Sequence, residues 1–155
     1  MNKQIRVAID SPAAAGAGTQ AKLIAKYYNL FYLDTGKIYR FVGYLKIKYK
    51  KKFNYTLIKK KIYSLKIREL QKKTLLSNKV ATVASVIAKD KKIRKIVHNF
   101  QTKCAYKPPK NFNGSILDGR DITSVIMKDA MFKFFITANV KTRAKRRYKE
   151  LRSLN

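Results

Sequence analysis

The stretch Ser11-x-x-x-x-Gly16-Ala17-Gly18-Thr19 is the part of this chain best suited to chemistry, and that chemistry is the holding of a phosphate chain. Its spacing is close to the nucleotide-binding loop pattern G-x-x-x-x-G-K-[GST]. It follows the apolar run Val7–Ile9 and Asp10, passes through Ser11, Pro12, Ala13, Ala14 and Ala15, and opens into a helical pattern. A buried strand that breaks into a small-residue loop and then a helix turns backbone N–H groups and the positive end of the helix toward one anion. Two positions depart from the pattern: Ser11 stands for the first glycine and Ala17 for the lysine. Loss of one preorganised transition-state donor costs roughly 10²–10³ in rate. Another lysine of this lysine-rich chain could fill the gap; Lys22 is near in sequence but falls a turn deeper in the helix.

Acidic residues are scarce, and their positions are informative for that reason. Lys and Arg number 37 against 8 Asp and Glu, a formal charge of +29. Asp10, Asp34, Asp118 and Asp121 all fall at or just past the end of a candidate strand. In an open parallel sheet, ligands bind beyond the carboxyl ends of the strands. That edge collects Ser11–Thr19, Asp34-Thr35-Gly36 and Asp118-Gly119-Arg120-Asp121. A phosphate loop with carboxylates and arginines meets the needs of phosphoryl transfer, where positioning and charge neutralisation do most of the work. Arginines clamp phosphates with two parallel hydrogen bonds, and carboxylates help to hold Mg²⁺.

The elements that must position these residues follow from periodicity. Candidate strands are Val7–Ile9, Phe31–Leu33, Ser115–Leu117 and Phe132–Ile136. Between the first two, Ala21, Ile24, Ala25 and Tyr28 give one apolar helix face, so the unit is βαβ and the sheet is parallel. Helices are also expected over 37–44 and 76–88, the latter capped by Ser77 or Asn78, and after Asp90 as a cap. A last helix carries Arg143, Lys145, Arg146, Arg147 and Arg152. From Leu45 to Arg68 lysine alternates with apolar residues, and periodicity leaves open a solvated helix, an edge strand pair or a basic arm. The expected architecture is an α/β parallel sheet of about four strands with helices on both faces, the strand Val7–Ile9 central, in a single domain over 1–155.

Bulk properties narrow the setting. One cysteine, Cys104, excludes an internal disulfide and fits a reducing compartment. No run of 18 apolar residues and no signal-peptide pattern occur, so a cytoplasmic protein with no membrane contact is expected. Most lysines are spread along the chain as in a lysine-rich proteome, which leaves nucleic acid as a non-specific partner of a basic surface. His98 reads as a helix-surface residue and Cys104 as inert.

The stretches IDSPAAAGAGT, YLDTGKIYR, VATVASVIAKDKKIRK, LDGRDI and FFITANVKTRAKRRYKEL run collinearly over most of the chain. Together they resemble the cytidylate kinases, bacterial enzymes that phosphorylate CMP and dCMP with ATP and Mg²⁺. The resemblance implies that Ser11–Thr19 wraps the ATP phosphates. It places Thr35, Arg40, Ser85, Arg94, Arg120 and Asp121 at CMP: Arg40 and Arg120 on its phosphate, Ser85 and Arg94 against the ring, Asp121 accepting from the cytosine amine. Arg143 and Arg147, with Arg146, match the start of the lid helix at 140–155 that closes over the γ-phosphate, and Arg143 and Arg147 take the catalytic role. Asp118 stands as a partner of the ion's waters, since Mg²⁺ arrives with ATP. Residues 45–75 match a shortened acceptor-binding arm. The remainder of the lid and a last strand are missing from the matched pattern, and a monomer is implied.

Taken by type alone, Ser85 is a small packing residue, Arg94 and the lid arginines are solvated charges, and Arg120 with Asp121 is a turn ion pair. Ala17 and the short lid keep a second reading beside the kinase: a remnant that holds nucleotide or RNA without turnover. A third, another nucleoside monophosphate kinase, fits Ser85, Arg94 and Asp121 less well, because together they read a cytosine edge.

Overall fold

Val7, Ala8, Ile9 and Asp10 are buried one after another, as in a parallel strand covered on both faces. They form the end of β1 (Ile5–Asp10) in a computed structural model that describes residues 4–153. β2 (Phe31–Asp34), β3 (Gly114–Gly119) and β4 (Phe132–Phe135) complete a four-stranded sheet in the order β2-β3-β1-β4, every neighbouring pair parallel. β1 is therefore an inner strand, as its apolar run implies.

Side-chain alternation assigns the two faces. Val7, Ile9 and Ile116 pack with Ala17, Ala21 and Ala25 of α1 (Ala17–Tyr28). Small alanines on that helix face let it lie close to the sheet. Asn29 ends α1 in the left-handed conformation, with φ 53°. Ser115 points to the other face, where its buried hydroxyl donates to the Ala105 carbonyl in the last turn of α5 (Lys91–Tyr106) at 2.6 Å. Helices thus cover both faces. Cys104 sits beside this contact, and burial pushes its thiol up to about 11, out of the range of ready ionisation.

The chain divides into two compact units: one holds residues up to Thr35 together with Gln101–Glu150, the other holds Gly36–Phe100 together with the segment from Leu151 on. The second unit contains α2 (Thr35–Tyr49, from Gly36 on), α3 (Tyr55–Tyr63), α4 (Asn78–Ile87) and the start of α5. The lysine-rich stretch that periodicity left open is helical: the end of α2, a 3-10 turn at Lys50–Lys52, α3, and another 3-10 turn from Ile67. Ile58 and Ile62, one turn apart, are its buried face, while its lysines lie outside. Asn54 starts α3 by accepting from the Leu57 N–H at 2.8 Å, a cap that the lysine pattern hid. The two expected caps are present. Ser77 Oγ accepts from Val80 N–H, and Asp90 accepts from Lys92 and Ile93 N–H. The Ile93 N–H first, with the Tyr55 hydroxyl and Lys92, holds the Asp90 carboxyl below the usual carboxylate range against the opposing effect of desolvation.

α6 (Val140–Arg152) buries no residue, as its arginine-rich sequence dictates; of the lid helix expected to reach 155, residues 154 and 155 lie outside the described residues. The Phe132–Phe135 strand is more exposed than its composition suggests, with Phe135 72% exposed at the sheet edge.

Candidate active site

The loop after β1 is held at both ends. Ser11 N–H donates to the Gly119 carbonyl at 2.9 Å, tying the loop to the end of β3. Pro12 and Ala15 close a turn, and the Gly16 carbonyl accepts from Thr19 and Gln20 N–H as α1 begins. Gly16 caps the helix with φ 102°, a conformation open to glycine. Ala14 also has a positive φ, 59°, which is strained for a residue with a Cβ. Ala14→Gly is therefore expected to raise stability by about 0.5–1 kcal/mol, the relieved strain less the added chain entropy. Thermal unfolding should show a midpoint higher by roughly 1–4 °C; a lower midpoint would mean that the left-handed alanine is unstrained.

Beside the start of α1 stand two polar groups. A Cβ on Gly18 would meet Tyr32 Oη at 3.3 Å and Asp118 Oδ2 at 3.6 Å. The Tyr32 hydroxyl bonds to Asp118, and desolvation first, then the charges of Asp118 and Asp34, push its ionisation far above the usual tyrosine range. Tyr32 is thus a permanent donor that orients the Asp118 carboxylate. No sequence pattern marks this pairing, because a tyrosine in a short strand looks like core. The donor set suits Mg²⁺, which takes one or two carboxylates and completes its shell with water and phosphate oxygens. No group of three or more His, Cys, Asp or Glu that would form an all-protein metal cage occurs among the described residues.

Asp10 fixes the next segment. Its buried carboxylate accepts from Ile122 N–H at 2.6 Å, from Thr123 N–H at 3.1 Å and from the Thr123 hydroxyl. Thr35 Oγ1 donates to the Asp118 carbonyl at 2.8 Å, joining the ends of β2 and β3. A Cβ at Gly119 would stand 2.3 Å from that Thr35 oxygen, so glycine is required by close approach. Arg120 and Asp121 follow on this fixed base, Arg120 exposed and Asp121 half-buried. The Asp121 carbonyl accepts from Val125 and Ile126 N–H across the π-helical turn Ile122–Ile126.

From α6, two arginines reach the loop. Arg146 Nη1 donates to the Ala15 carbonyl at 2.8 Å and to that of Ala14 at 3.4 Å. Arg143 Nη1 approaches the Ala13 carbonyl at 3.5 Å. Arg147 instead pairs with Glu150 at 2.6 Å. The first unit thus brings together the loop, Asp118, Arg120, Asp121, Arg143 and Arg146. Arg40, Ser85 and Arg94 belong to the second unit. There, Arg40 donates to the Leu75 carbonyl at 3.1 Å, Ser85 to that of Thr82 at 2.7 Å and Arg94 to that of Ala88 at 3.4 Å.

Residues 7–155 match the family model described as cytidylate kinase. The chain belongs to the cytidylate kinase family. It is 43% identical over 154 residues to a cytidylate kinase of Bartonella tribocorum, covering 96% of this chain and 68% of that protein. A cytidylate kinase of Azorhizobium caulinodans is 39% identical over 145 residues, covering 94% of this chain and 68% of its own length. One of Listeria monocytogenes is 35% identical over 164 residues, covering 97% of this chain and 71% of its own length. The four-stranded parallel sheet with its loop between β1 and α1 is the kinase-type α/β fold that the cytidylate kinase resemblance implied. Among the described residues, no helix is long and apolar enough to cross a membrane.

Proposed function

We propose that this chain transfers the γ-phosphate of ATP to CMP or dCMP, giving ADP and CDP or dCDP. The observation that carries the reading is the loop Ser11–Thr19 between β1 and α1, with Asp118 beside Gly18, in a member of the cytidylate kinase family. Backbone N–H groups of the loop and the N-terminus of α1 bind the triphosphate. Thr35, Arg40, Ser85 and Arg94 act with Arg120 and Asp121 on the acceptor: arginines on its phosphate, Asp121 on the cytosine amine. An oxygen of the acceptor's phosphate attacks the γ-phosphorus in line, and the bond to the β–γ bridging oxygen breaks as ADP leaves. No general base is needed, because the attacking phosphate is already anionic. Asp118 would hold the water shell of Mg²⁺, and the ion when bound would supply charge neutralisation to the nucleotide's phosphates. Arg143 and Arg147 of the lid helix act on the transferred group, Arg147 after leaving its bond to Glu150. The protein works as a cytoplasmic monomer and meets nucleic acid only through its basic surface.

Ala17, buried in the core between sheet and helix, favours one other reading: a nucleotide-binding protein without turnover. ADP release from ATP with CMP, dCMP, UMP or AMP separates the two. Turnover with CMP and dCMP at least tenfold above AMP is expected. Equal rates with AMP and CMP remove the cytosine assignment, and ATP binding with no turnover leaves the second reading.

A further inference from the structure

Position 17 carries no cation. Ala17 is the first residue of α1, only 4% exposed, and its methyl group packs among Val7, Ile9 and Ala21. The loop pattern that the chain otherwise follows has a lysine there, reaching the β- and γ-phosphates. A bare amide nest binds an anion, but it lacks the full positive charge that transfer of a highly charged group demands.

A full charge does stand at the loop, on another element. Arg146 Nη1 lies 3.3 Å from where a Cβ on Gly16 would be, and its bonds to the Ala14 and Ala15 carbonyls fix it there. A guanidinium has five N–H donors in a rigid fork. Both of these bonds are made by Nη1, so the Nε and Nη2 edge of the fork retains donors of its own. Arg143, three residues earlier on α6, makes its approach to Ala13 on the same side of the helix. We propose that Arg146 supplies to the phosphate loop the positive charge that position 17 lacks, contacting the β- or γ-phosphate of the bound nucleotide. Arg146 is then a determinant of ATP binding and turnover particular to a chain with alanine at 17. The inference rests on the kinase reading above.

The test compares the unmodified chain with Arg146→Met, Ala17→Lys and the double variant. MgATP binding is followed by calorimetry and turnover by ADP release with CMP. Arg146→Met should weaken MgATP binding and lower kcat/KM for ATP by about 10²-fold. The dissociation constant for CMP alone should stay within threefold, and the melting midpoint within 2–3 °C. Lysine at 17 in the Arg146→Met background should restore at least tenfold of the loss, an effect that a purely structural role for Arg146 would not give. Because a lysine entering a buried position can unfold the chain, guanidinium ion at millimolar concentration is added to Arg146→Ala as a second rescue. An Arg146→Met chain within threefold of the parent in ATP binding and turnover overturns the proposal, as does a loss that neither rescue reverses. If the parent binds no MgATP but Ala17→Lys does, the Arg146 proposal falls and the kinase fold reading stands. If neither binds, both fall.

Discussion

Asp10→Ala is expected to destabilise the protein by about 3 kcal/mol, because it leaves buried N–H donors without an acceptor at roughly 1–3 kcal/mol each. The melting midpoint should fall by roughly 6–12 °C. Asp10 is 7% exposed, and its two oxygens take the N–H groups of Ile122 and Thr123 and the Thr123 hydroxyl. No water replaces that acceptor easily at the end of a strand covered on both faces. Asp10→Asn keeps one acceptor oxygen but turns an NH₂ toward the remaining donors, so about half the loss is expected. The same change loosens the segment that bears Arg120 and Asp121, so CMP binding should weaken more than ATP binding. Urea unfolding followed by circular dichroism measures the first effect and calorimetry with each nucleotide the second. A midpoint unchanged to within 0.5 kcal/mol of stability would show that the Ile122–Ile126 turn holds itself without Asp10.

The anchoring role of Asp10 shows where sequence reasoning stops. Its place at a strand end was legible, since Val7–Ile9 is apolar and the loop residues are small. Its partners, more than a hundred residues away, were not, because no local pattern encodes which backbone donors a carboxylate meets. The caps Ser77 and Asp90 were readable because a cap is a local device, with donor and acceptor two or three residues apart. The stretch 45–68 was ambiguous for a different reason. Tyr55 and Tyr63 are exposed while Ile58 and Ile62 are buried, so counting every aromatic residue as core blurs a helical period that the isoleucines alone would show. β4 is a strand as its run of phenylalanines announces, but such a run does not say which face is covered. In α6 the arginine cluster was plain, but which guanidinium reaches the loop depends on the phase of the helix against it. That phase turns Arg143 and Arg146 inward and leaves Arg147 on Glu150.

Arg120→Ala should lower kcat/KM for CMP by about 10²–10³ while leaving the dissociation constant for MgATP within twofold, a loss of roughly 3–4 kcal/mol of transition-state binding. The expectation follows from the rigidity of its base. Gly119 is held so close to Thr35 and Ile122 that no side chain fits there, and Asp10 fixes the two residues after Asp121. A guanidinium carried on such a base is placed before the acceptor arrives, so little of its binding energy is lost in ordering it. Arg120 is exposed and serves no core contact, so the melting midpoint should move by less than 2 °C. Arg120→Lys should recover only part of the rate, because an ammonium cannot make the two parallel bonds of a guanidinium to a phosphate. Steady-state kinetics with CMP varied at saturating ATP, beside a calorimetric titration of ATP, decides the matter. Should the variant keep its KM and kcat for CMP to within twofold, Arg120 is a surface charge and the acceptor's phosphate is held by other arginines, with Arg40 the first to test.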